Sequence, residues 1–127
     1  MATETCMVFF RGGACDLDGA VRSLTGYKLN VVREGEVITA GRPGGIQFRI
    51  RLAAGEHVRV EASEIGEATP HAAAMRECSA RFEIDIQDLD AALDEMNTLM
   101  EVQGALQDAS RGFLFLPWNG RLSEPYA

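Results

Sequence analysis

The 127-residue chain predicts an α+β domain built on an antiparallel sheet, on three features of its pattern. Apolar and polar residues alternate strictly from Cys78 to Ile86, the period of a half-buried strand. An apolar stripe of helical period follows over 88–110. A second strand-to-helix pair lies upstream, and its helix start, Asp16-Leu17-Asp18-Gly19-Ala20, resembles Asp88-Leu89-Asp90-Ala91-Ala92. With 46% hydrophobic and 24% charged residues the chain reads as one folded domain over 1–127, of a size that buries roughly two thirds of its unfolded surface.

In chain order, the run Cys6 to Arg11 is short and closed by Gly12-Gly13, which favours a buried strand over a helix. Asp16 then caps a helix over 16–25, with Leu17, Val21 and Leu24 on one face and Gly26 expected as a left-handed stop. Four strands are expected in a β-rich middle, Tyr27 to Arg33, Glu36 to Ala40, Gln47 to Leu52 and His57 to Ala62. A three-residue loop at Ala54-Gly55-Glu56 would set Leu52 against Val58, Ile50 against Val60 and Phe48 against Ala62. The other face of that hairpin would oppose Arg49 to Glu61 and Arg51 to Arg59. Thr69-Pro70 opens a helical turn over 70–76. The strand from Cys78 places Cys78, Ala80, Phe82, Ile84 and Ile86 on one face. Asp88 caps the longest helix, 88–110, whose stripe is Leu89, Leu93, Met96, Leu99, Met100 and Leu106. Gly112 ends it, Phe113 to Leu116 is a further strand, and Pro117-Trp118-Asn119-Gly120 turns into a polar tail.

Two β-α units with matching helix starts point to a ferredoxin-like two-layer sandwich: duplicated β-α units, an antiparallel sheet, two helices on one face and inserted β-hairpins between the halves. Phe113, Phe115, Leu114 and Leu116 make both faces of the last strand apolar, with Trp118 and Tyr126 beyond. Such a strand is covered or forms an interface, and a homodimer through the 113–118 strand is one expectation.

Charge narrows the partners. The net charge of −7 disfavours nucleic acid, and the apolar runs Cys6 to Phe10 and Phe113 to Trp118 fall far short of the ~20 residues of a membrane span. Met1 to Thr5 carries Glu4 where a secretory leader carries positive charge, so a cytoplasmic protein is expected. Cys6, Cys15 and Cys78 are an odd, scattered set without C-x-x-C and read as reduced thiols, with no metal or cofactor expected. Lys28 is the only lysine among 12 basic residues, a codon bias of GC-rich bacterial genomes.

Residues 82–110 hold eight acids and no Lys or Arg, so that segment carries −8 while the rest sums to +1. An acidic helix that forgoes its usual i,i+4 ion pairs suits capture of a cationic partner. No nucleophile elbow, zinc-protease or phosphate-loop spacing occurs, so no catalytic residue is assigned. The leading expectation is a non-catalytic binding protein in the manner of bacterial immunity or antitoxin-type inhibitors, docking a cationic protein on Asp90, Asp94, Glu95, Glu101 and Asp108. The alternative rests on the loop Gly12, Gly13, Cys15 and Asp16 between strand and helix, where backbone amides meet a small anion. Segment 8–32, with Asp16-Leu17-Asp18-Gly19-Ala20, resembles the first β-α-β of ACT-type modules, which implies a dimeric regulatory protein binding a small ligand near that loop. It lacks the proline such modules often carry before the glycine. A third expectation is an anion-binding face of Arg49, Arg51, His57 and Arg59, with His57 as acid or base.

Overall fold

Both faces of the first strand are apolar, and a computed structural model describing residues 4–125 shows what covers them. Tyr126 lies outside the described residues. The elements are β1 (Glu4–Arg11), α1 (Leu17–Gly26), β2 (Asn30–Glu34), β3 (Val37–Gly41), β4 (Gln47–Ala54), α2 (Glu56–Gly66), α3 (Ala72–Met75), β5 (Cys78–Ile86), α4 (Leu89–Asp94), α5 (Met96–Ser110), β6 (Phe113–Leu116) and β7 (Arg121–Ser123). The fold is α+β. Seven strands form one antiparallel sheet in the order β2-β3-β4-β5-β1-β6-β7.

Alternation along β1 sends Cys6, Val8 and Phe10 to one side and Met7 and Phe9 to the other. The first side packs with Phe82 and Ile84 of β5, under Leu24 of α1 and Leu99, Val102 and Leu106 of α5. Phe10 and Phe82 meet with ring centroids 4.9 Å apart. Ser23 ties the two helices by donating to the Ala105 carbonyl at 2.6 Å. The second side is covered by Val58 and Ala62 of α2 and Met75 of α3. Three layers therefore stack over the central strands, where two were expected.

Several elements depart from expectation. The segment 57–62 is not a strand: it lies in α2, which starts after Gly55 at φ 131. Val58 and Ala62 fit i,i+4 spacing as well as alternation, and the helix leaves Val60 46% exposed. The hairpin register goes with it, because β4 already has β3 and β5 as neighbours, with Ile50 opposite Ile38 and Ile84. The 88–110 helix breaks at Glu95, whose φ −112 and ψ 45 separate α4 from α5. The turn at 70–76 forms a helix only over Ala72–Met75. A bulge in β5, where the pairing passes from Phe10↔Ala80 to Arg11↔Cys78, puts Cys78 in the second cluster, away from Phe82 and Ile84. The left-handed position after α1 is Lys28 (φ 64), not Gly26. After α5 it is Arg111 (φ 59). β6 is no sheet edge, since β7 covers it, so the expected dimer strand has no open side.

Gly112 is required by crowding. A Cβ there would lie 2.6 Å from both the Phe9 carbonyl oxygen and Val8 Cγ1. Gly112→Ala is expected to lower stability by about 1–3 kcal/mol, read as a lower urea midpoint; an unchanged midpoint would mean that β1 and β6 sit farther apart than described.

Candidate functional site

Helix α5 has more apolar residues than its buried face accommodates. Leu99, Val102 and Leu106 point into the core, while Met100 is 54% exposed, Met96 44% and, at the end of α4, Leu93 37%. Opposite them stands the β6–β7 hairpin with half-buried Leu116 and Trp118. The two lips enclose a groove of about 780 Å³, floored by Leu99, Leu114 and Gln103.

Polar contacts hold the walls in place. Gln107, buried on α5, donates through Nε2 to the carbonyls of Gly112 at 3.2 Å and Ser123 at 3.3 Å, clipping the hairpin to the helix. Glu95, at the helix break, accepts from the Ile46 backbone N–H at 3.3 Å. Arg42 of the same β3–β4 loop pairs with Glu101. Gln103 and Gln107, both buried, are absent from the stripe that the sequence predicts for this helix. The available signal was the width of the stripe, too broad for one contact face.

The five acids assigned to partner binding thus divide. Glu95 and Glu101 hold the loop 42–46, and Asp108 accepts from the Tyr27 hydroxyl. Asp90 and Asp94 are exposed and have no hydrogen-bond or ion-pair partner among the described residues. The −8 segment is also less uncompensated than its sequence implied. Across the sheet, Arg51 reaches Asp85 at 3.0 Å and Glu83 at 3.6 Å. Arg81 bonds Glu83 at 2.9 Å and Glu61 of α2 at 2.7 Å, and lies over the Phe9 ring.

The hairpin expected to carry the anion-binding face is absent, because its second strand is helix α2. Arg49 and Arg51 stand on β4, whereas His57 and Arg59 belong to α2, where Arg59 is engaged by Glu56. Glu61 bonds Arg81 rather than Arg49. At the β1–α1 loop, Gly13, Cys15, Asp16, Gly19 and Arg22 line a second concavity of about 430 Å³, without Gly12. The Asp16 carboxylate there already accepts from Gly19 N at 2.8 Å, as expected of a cap. No helix among the described residues is long and apolar enough to cross a membrane.

All three thiols are free. Burial pushes Cys6 up to about 12, against a hydrogen bond from Gln103 that lowers it, and pushes Cys78 up to about 11. Burial also raises half-buried Cys15. None has the depressed pKa of a nucleophile.

No protein-family model matches the chain, and no curated protein and no solved structure matches it.

The thiols give a pH dependence with a defined sign. Unfolded thiols ionise from their ordinary value of 9.0, while folded Cys6 and Cys78 keep their protons to about 12 and 11, so the unfolded state sheds protons first. Stability is therefore expected to fall above pH ~9, by up to about 1.4 kcal/mol per pH unit for each thiol. Urea titrations of the Cys6→Ala/Cys78→Ala variant over pH 8–11 are expected to show a shallower decline. Equal slopes would mean that these thiols ionise as freely in the folded chain.

Proposed function

We propose that this chain is a non-catalytic binding protein, an acidic inhibitor of the immunity or antitoxin type, which docks a cationic polypeptide in the groove between α5 and the β6–β7 hairpin. One observation carries the reading: Leu93, Met96 and Met100 are exposed together on a stretch, 88–110, that holds six acids and no Lys or Arg. Exposed apolar surface of this kind is costly unless a partner covers it. Methionine is the side chain best able to adapt to such a partner, and unpaired Asp90 and Asp94 speed its arrival by long-range attraction. A bacterial, cytoplasmic setting goes with this reading, from the arginine bias and three free thiols.

The fold is read as ferredoxin-like with additions. The order β4-β5-β1-β6 supports this, because β1 and β4 flank β5 while β5 and β6 flank β1, with α1 and α5 lying in the intervening connections on one face. Asp16 and Asp88 cap corresponding helix starts, accepting from Gly19 N at 2.8 Å and Ala91 N at 3.2 Å. The pair β2–β3 extends the sheet at one end and β7 at the other.

Native mass spectrometry of the protein recovered from its source cell tests the docking role. A stoichiometric basic polypeptide is expected, lost with Met96→Ser/Met100→Ser and associating ~10-fold more slowly at low salt with Asp90→Lys/Asp94→Lys, while thermal unfolding stays unchanged. A partner indifferent to both pairs of substitutions would overturn the role.

A second reading, a dimeric ACT-like module binding a small anionic ligand, is favoured by Arg22 lining the concavity beside Gly13 and Cys15. It is expected to show a metabolite-dependent rise in Tm that Arg22→Gln removes. Arg22 is the better test position, since Gly13 at φ 86 makes any side chain there strained for unrelated reasons. A rise in Tm that survives Arg22→Gln would count against ligand binding at this loop.

A further inference from the structure

We infer that the docked polypeptide lies in the groove as an extended strand, adding to the free edge of β7; this rests on the docking role proposed above. β7 ends the sheet, paired with β6 on one side and with no strand on the other among the described residues. The groove collects side chains from both layers: Met96 and Met100 from α5, and His71 from the opposite layer, where its ring packs 5.1 Å from that of Phe113. A cavity that touches both layers runs past the end of the sheet, and the strand at that end is β7. The strand itself divides in the same way. Leu122 packs with Phe113 and Phe115 in the cluster beneath α2 and α3, while the Ser123 carbonyl accepts from Gln107 on α5.

The Gln107 clip makes this edge preformed, so little ordering cost remains when a strand adds to it. An extended segment is the occupant able to use it. A strand edge offers main-chain donors and acceptors to a backbone whose own groups are unpaired, whereas a helix has already made its backbone bonds. Alternate side chains of the added strand would fall on the Met96–Met100 side and on the His71–Leu122 side. Charge orients it. Among the described residues Arg121 is the only Lys or Arg lining the groove and stands at one end of β7, Glu124 follows the other end, and the unpaired Asp90 and Asp94 both lie on α4, whose Leu93 lines the groove. The basic positions of the segment are therefore placed away from Arg121 and toward Glu124.

The test titrates synthetic decapeptides into the full chain at low salt, reading the emission of Trp118, the only tryptophan, and amide exchange at 121–123. An alternating Val-Lys decapeptide is expected to bind, shift that emission and slow exchange in β7. Versions N-methylated on every Val or on every Lys separate the two edges of the peptide, and one of them is expected to lose at least ~10-fold in Kd while the other keeps its affinity. A Leu-Lys peptide of equal length and charge, patterned as a helix, is expected to bind more weakly. Tighter binding of the helical peptide, or affinity unaffected by either methylation, overturns strand addition and leaves the docking role standing. Failure of every peptide overturns both.

Discussion

Burial of β1 on both faces is the constraint to which every other element answers. Its residues Cys6 to Phe10 are all buried, so their backbone groups need partners on either side and their side chains need a layer above and below. β5 and β6 supply the first, and the pairs α1/α5 and α2/α3 the second. Leaving Met7 and Phe9 in water would cost about 1.5–3 kcal/mol for each. The helix α2, its start freed by Gly55, follows from that need. So does the close approach at Gly112, which lets the chain return from α5 alongside Phe9.

The second organising interaction is ionic. The polar face of β5 is only partly roofed by α2, and an arginine of β5 itself and one of neighbouring β4 fill the difference. Arg81, largely buried over Phe9, holds Glu61 and Glu83, and Arg51 holds Asp85. Burial alone would lower the Arg81 pKa, but the bonds to the two glutamates outweigh it and the group stays charged. These pairs share out an acidity that looks unopposed along the chain. Asp88, Glu95 and Asp108 take neutral hydrogen-bond donors instead, which leaves Asp90 and Asp94, beside an apolar groove, without a partner among the described residues.

At the groove, the composition of the lip was legible and its exposure was not. Met96 and Met100 recur with Leu99 at helical spacing, so all three read as one stripe. The break at Glu95, fixed by the Ile46 N–H, and the Arg42–Glu101 pair set the direction in which α5 lies. That direction, rather than any property of the methionines, leaves them in water while Gln103 and Gln107 are buried. Asp90, Asp94, Glu95, Glu101 and Asp108 are chemically alike in sequence and have separate roles in the fold for the same reason.

Where a residue's neighbours in the chain supply the physics, the amino-acid order was sufficient. Asp16 and Asp88 cap helices because each carboxylate reaches an N–H three residues on, and β5 alternates because its side chains do. Such interactions span a few residues and survive without a tertiary context. The conformation of 57–62, the bulge that turns Cys78 to the other layer, the covering of β6 by β7 and the exposure of Met96 and Met100 depended on the assembled molecule. Each is set by which face of β1 a segment covers, which strand edge is paired, or how α5 lies over the core, and these contacts join residues far apart in the chain.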